Sequence, residues 1–286
     1  MTENMVENLG KFDQPIREKR LNWVLFVVCI SILLFGAIFA VDWTVMLFEQ
    51  FNRPGMVFPK PLDLKQTAFT GIGKAVNSVL CLVIVIMVLD SRIDKKDWLL
   101  LFFAFLFIVP TDIIMRIIDL NPNLDASTPF FMVGGVTSIL AHLVLFFRHG
   151  RGFPYWRKSK RADLPKKNWF QMLWLPAVIF GSAGLAMGFL WQYMVPINHQ
   201  IIGPAYTAFF CMNTWVAWES VRYKLYPKRN AIFAAIGVTL WYLTEVVGEI
   251  WNVQIGLPSF IAFQFIWMVY GPGILLIALS GIKFKK

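Results

Sequence analysis

The chain has 286 residues, 57% of them hydrophobic and only 15% charged, with a mean hydropathy of +0.59 and a formal net charge of +10. A soluble domain carries about 25% charged residues, so a water-soluble globular protein is excluded and an integral membrane protein is expected. The three cysteines (Cys29, Cys81, Cys211) show no paired spacing, so neither a disulfide framework nor a zinc knuckle is suggested.

Apolar windows long enough to cross a bilayer recur at Trp23–Met46, Ala68–Leu89, Trp98–Ile118, Pro129–Phe147, Trp169–Tyr193, Ile202–Val221, Ala231–Ile250 and Ser259–Ile282. They predict an all-α, polytopic membrane protein with eight transmembrane helices. Outside these windows, 22 Lys and Arg fall in the N-terminus, loops 90–97, 148–168 and 222–230, and the tail, all on one side of the eight-helix arrangement. The opposite loops hold only Arg53, Lys60 and Lys65, so both termini are placed in the cytoplasm. The membrane is read as a bacterial inner membrane or an endomembrane. The basic stretch Arg148–Lys167 reads as an anchor at anionic headgroups, and no nucleic acid is expected. The N-terminal Met1–Leu21 is polar and does not fit a cleavable signal, so it is expected to persist. The organisation is thus a cytoplasmic segment 1–21, a membrane domain 22–282 and a tail 283–286. Loop 148–168 divides the domain into halves 22–147 and 169–282.

The first span ends at Asp42, which reads as solvated at the outer headgroups. In the second, Lys74 lies about two turns from the outer end, either snorkelling to the interface or facing a site, with Asn77 and Ser78 one turn on. The third span places Pro110, Asp112 and Arg116 inside the apolar run. A carboxylate at such depth is kept only where it faces protein or a water-filled cavity. Asp112 therefore reads as facing a site, the alternative being a pair with Arg116 one turn later.

In the fourth span, Gly134 and Gly135 allow close helix approach, and His142 is either a packing residue or a site residue. The small residues Gly181, Ser182, Ala183, Gly184, Ala186 and Gly188 of the fifth span read as a helix–helix contact face. The sixth span holds Tyr206 in its outer half, Asn213 near its middle and an interfacial Glu219–Arg222 salt bridge. The seventh carries Glu245 and Glu249 one turn apart; two carboxylates there should not both ionise cheaply, and Glu245 is the deeper. In the eighth, Tyr270-Gly271-Pro272-Gly273 predicts a break at mid-depth.

The two halves fall into register. Lys74 to Asp112 is 38 residues and Tyr206 to Glu245 is 39, and Thr111-Asp112 matches Thr244-Glu245. A parallel repeat of two four-helix halves, with the site between them, is the resulting expectation.

Taken together, Lys74, Asp112, Gly134, His142, Leu243-Thr244-Glu245, Tyr270 and Ile277-Ala278-Leu279-Ser280 resemble the YhhN-like (lysoplasmalogenase) family of eight-helix membrane proteins, over roughly residues 68–282. Thr111-Asp112 stands where the family has Gly-Asp, Thr244-Glu245 where it has Ser-Asp, Lys74-Ala75 where it has Lys-Pro, and Ile274 where it has Gln. The resemblance implies hydrolysis of the vinyl-ether bond of lysoplasmalogens to a fatty aldehyde and a glycerophospho-headgroup. That chemistry needs one carboxyl protonated and one ionised. The more deeply desolvated of Asp112 and Glu245 is the expected acid, and the other, kept anionic by Lys74, the base. His142 or Tyr270 would orient water or headgroup, with Tyr206 and Asn77 as further supporting residues.

Membrane lipids or a lysolipid are the expected partners. The alternatives are a lipid-binding, sensing or transport protein on the same scaffold, a proton-coupled transporter, or a zinc hydrolase. Zinc requires several His or Asp ligands. His149 and His199 are placed in loops on opposite faces, leaving only His142 in a span, so no metal and no cofactor are expected.

Overall fold

The computed structural model describes residues 18–52, 64–120, 129–150, 169–195, 200–248 and 259–284. Most of the N-terminal segment, the segments 53–63, 121–128 and 151–168, and the residues His199, Glu249 and 285–286 lie outside the described residues. The described chain is all-helical: α1 Glu18–Asn52, α2 Leu64–Met87, α3 Lys95–Leu120, α4 Pro129–Gly150, α5 Trp169–Met194, α6 Ile202–Arg222, α7 Lys228–Leu243 and α8 Ser259–Leu279. Among the described residues, five helical segments are long and apolar enough to cross a membrane: Glu18–Val45, Lys95–Ile117, Pro129–Gly150, Leu173–Gln192 and Lys228–Val247. Each described helix falls on one of the eight hydropathy windows, although α1 and α3 extend past both ends of theirs.

Six helices close a ring in the order α2, α3, α4, α6, α7, α8 and back to α2. Outside the ring, α1 packs on α2 and lightly on α8, while α5 packs on α6. This explains why α1 and α5 present Leu33, Trp23, Leu185 and Phe189 to the surroundings: an outrigger helix has one buried stripe, and hydrocarbon covers the rest.

Small residues set the closest approaches. A Cβ on Gly237 would lie 2.7 Å from the Gly273 carbonyl oxygen, and one on Gly273 would lie 2.9 Å from the Gly237 oxygen, so α7 and α8 meet backbone to backbone. Gly134 similarly faces Met115 of α3, and Gly135 faces Ile202 of α6, as the sequence predicts.

The glycine stripe of the fifth span departs from expectation. Gly181, Gly184 and Gly188 are exposed with nothing within 4 Å of their Cβ positions, while Ala183 and Ala186 are buried toward α6. The glycine stripe faces outward because α5 touches the ring along one narrow strip. A second correction concerns α8, which runs unbroken through Pro272. Pro272 points outward and Gly273 seats against α7, so the packed neighbour keeps the helix continuous where an isolated chain would break. Third, Asp42 is 1% exposed: it lies on the protein-facing side of α1, four residues from the buried Ile38.

One end of the ring is closed by a buried polar clamp. Arg148, at the end of α4, donates from Nε and Nη2 to the two oxygens of Asp97 at 3.0 and 3.1 Å. It also donates from Nη1 to Ser280 Oγ at 2.7 Å and from Nη2 to the Ser280 carbonyl at 3.2 Å. Asn230 Nδ2 donates to the carbonyls of Ser280 and Ile282 at 2.8 and 2.5 Å, and the Tyr226 hydroxyl donates to the Arg148 carbonyl. The Lys283 amide donates to the Ser91 carbonyl at 2.8 Å. Arg148 and His149 thus belong to α4 and are fully buried, correcting their placement in a loop. The helix outruns its hydropathy window because Asp97 neutralises the arginine that ends it. Glu219 and Arg222 pair at 3.0 Å, as expected.

Candidate functional site

Asp112 sits on the inward face of α3, 5% exposed, at the other end of the ring from the Arg148 clamp. Asp97 and Asp112 are 15 positions apart on α3, so their separation along the helix is about 22 Å. Three ring helices meet at its carboxylate. Ser78 of α2 donates its hydroxyl to Oδ2, and Tyr270 of α8 donates to Oδ1 and Oδ2 at 2.9 and 3.0 Å. Thr111, beside it, donates to the Phe107 carbonyl at 2.8 Å and lies 2.8 Å from the Thr137 hydroxyl of α4.

Lys74 is one turn before Ser78 on the same face of α2 and only 1% exposed, which resolves its two readings in favour of the interior. Its Nζ lies 5.0 Å from the Trp267 ring centre, and the Arg116 guanidinium lies 4.6 Å from that same ring. Two cations on one indole, deep in an apolar bundle, constitute a strong cation–π arrangement. Trp267 in turn meets Tyr270 edge-on at 5.2 Å. One platform therefore carries Lys74, Arg116 and the tyrosine that holds Asp112.

Glu245 arrives differently. The end of α7 widens into a π-helical turn over Thr244–Gly248, and Glu245 lies in it, half-buried. Such turns re-aim side chains and concentrate at functional sites. The Tyr270 hydroxyl lies within electrostatic reach of Asp112, Glu245 and Tyr206.

Behind Tyr270 the ring interior is aromatic. Trp241 meets Tyr270 edge-on at 5.5 Å and lies 4.1 Å from His142. Tyr206 and Phe210 of α6 flank that imidazole at 5.5 and 5.0 Å. His142 is fully buried and stands opposite Asn213, whose Nδ2 lies 3.2 Å from His142 Nδ1. Asn213 Oδ1 is 2.9 Å from Nδ1 of His149.

The structure thus brings Asp112, Tyr270 and Lys74 into one cluster, with Glu245 at its edge and His142 and Tyr206 one aromatic layer away. Asn77 is oriented elsewhere: its side-chain oxygen accepts from Ser31 of α1. Trp267, Ser78 and Asn213 organise the site without having been singled out for it from the sequence. The i,i+3 pair Trp267/Tyr270 and the i,i+7 pair His142/His149, each on one helical face, were the available signals.

Comparison with protein-family models, with curated proteins and with solved structures finds no match to this chain.

Proposed function

We propose that this protein is a lysoplasmalogenase-like hydrolase, crossing the membrane eight times with both termini cytoplasmic, that cleaves the vinyl-ether bond of lysolipids within the bilayer. The observation that carries the reading is the buried Asp112 carboxylate, gripped by the Ser78 and Tyr270 hydroxyls beside two cations on Trp267. A membrane helix retains such a charge at a functional site.

The helix contacts also favour two parallel four-helix repeats. The neighbours α1–α2, α2–α3 and α3–α4 correspond to α5–α6, α6–α7 and α7–α8, and α4–α6 corresponds to α8–α2. Asp112 then comes from the first half, and Tyr270, Trp267 and Glu245 from the second.

In the proposed reaction, a carboxylic acid protonates the alkenyl carbon remote from the ether oxygen, leaving an oxocarbenium centre. Water adds there and gives up a proton to a carboxylate, and the hemiacetal collapses to a fatty aldehyde and the free glycerol hydroxyl. Burial alone would make Asp112 the acid. Its surroundings argue the other way: two hydroxyls donate to it, and Lys74 lies one turn from Ser78, which suits the ionised base. Glu245, on a turn that leaves it half-buried, then delivers the proton.

A second reading is a non-catalytic lipid-binding or transport protein on the same scaffold. It is favoured by Ile274, which is fully buried where the resembled family has a Gln. Purified protein in detergent, given vinyl-ether, alkyl-ether and acyl lysolipids, is expected to release aldehyde from the vinyl ether alone. Binding of all three without turnover would replace the hydrolase by a carrier.

A further inference from the structure

Two histidines of one helix share one amide. His142 and His149 are seven residues apart on α4, about 10 Å along its axis, both fully buried, and Asn213 of α6 stands between them. An amide has a donor edge and an acceptor edge. The Nδ1 atom on its Nδ2 side must be bare, and the Nδ1 atom on its Oδ1 side must carry hydrogen, so the two imidazoles take opposite tautomers. With Oδ1 toward His149 and Nδ2 toward His142, His149 donates from Nδ1 to Asn213, while Asn213 donates to His142 Nδ1. The hydrogen of His142 is therefore on Nε2, which is buried and without a hydrogen-bond partner among the described residues. A buried N–H left unmatched is costly unless something comes to accept from it.

We propose that Asn213 is a positioning residue that fixes His142 as its Nε2–H tautomer, so that His142 presents one donor, inside the aromatic box of Tyr206, Phe210 and Trp241, to an oxygen of the bound ligand. The amide does not relay a proton between the histidines; it sets which ring nitrogen is armed. The ligand half of this inference rests on the lysolipid reading above, and the tautomer half does not.

The test is nitrogen NMR on full-length protein labelled at histidine, with His199→Gln to simplify the spectrum and His142→Gln to assign it. The wild type should show His142 with a bare Nδ1 and a protonated Nε2, and His149 protonated at Nδ1. In Asn213→Asp the carboxylate has no hydrogen to donate, so the His142 hydrogen should move to Nδ1. An alkyl-ether lysophosphatidylcholine, which cannot be hydrolysed at a vinyl ether, should then bind more weakly by on the order of fivefold. An asparagine that merely packs would leave the tautomer unchanged. A wild-type His142 with hydrogen on Nδ1 overturns the proposal, as does a tautomer change that leaves affinity untouched. The wild-type spectrum alone decides the tautomer if the variant does not fold. If the wild type fails to bind the probe, the lysolipid reading and the donor role fall together, while the spectrum still decides whether Asn213 sets the tautomer.

Discussion

Asp112→Asn should lower turnover of a vinyl-ether lysolipid by about a hundredfold to ten-thousandfold, the span of a lost general acid or base, while the protein stays folded. The amide keeps the size of the carboxylate and one of its acceptors, so the hydroxyls of Ser78 and Tyr270 retain a partner. In the proposed mechanism, what is lost is the ionised group that would take a proton from the attacking water. Glu245→Gln should cost a comparable amount by removing the proton donor. Initial rates of aldehyde release, with circular dichroism and thermal unfolding in detergent as controls for folding, check both. Undiminished turnover in folded Asp112→Asn removes it from the chemistry.

Arg148→Met should destabilise the fold by about 3–5 kcal/mol, the cost of stripping one partner from a buried ion pair, with no direct effect on the site. The substitution leaves the Asp97 carboxylate fully buried beside an apolar side chain and removes the donors to Ser280. Asp97→Leu added to Arg148→Met should recover much of that loss, because the buried carboxylate goes with it. Unfolding of the single and double variants in detergent measures this directly. A single variant within about 0.5 kcal/mol of wild type, as at an ordinary surface position, would show that the clamp does not hold the ring closed.

Helices and buried charges were legible in the sequence to different degrees. Apolar windows located the described helices because a long apolar run in a membrane protein folds its backbone polar groups into a helix, and Asp112 and Lys74 stood out as charges that hydrocarbon would not tolerate unaided. Partners across helices were not legible. Arg148 counted as a loop charge because hydropathy treats every arginine alike, whereas Asp97, 51 residues earlier, lets this one end a helix indoors. His149 was set outside because its partner Asn213 lies 64 residues on in another helix, and Asp42 because it stands near the end of its apolar window. The glycines of α5 read as a contact face because composition shows what a surface permits, not which neighbour occupies it. The eighth span read as broken at Pro272 because propensity ignores the α7 backbone against Gly273. Trp267 was hidden among 12 tryptophans that serve equally well as interface anchors.

In the proposed reaction one carboxyl adds a proton to the alkenyl carbon and the other directs water to the carbon beside the ether oxygen. Its most direct measurement is mass spectrometry of the aldehyde formed in deuterium oxide, trapped by reduction as it appears. Wild type should give one deuterium on the carbon next to the carbonyl carbon, and Asp112→Asn should form that product about a hundredfold or more slowly. Aldehyde without that deuterium, or product from the variant at the wild-type rate, would contradict that reaction.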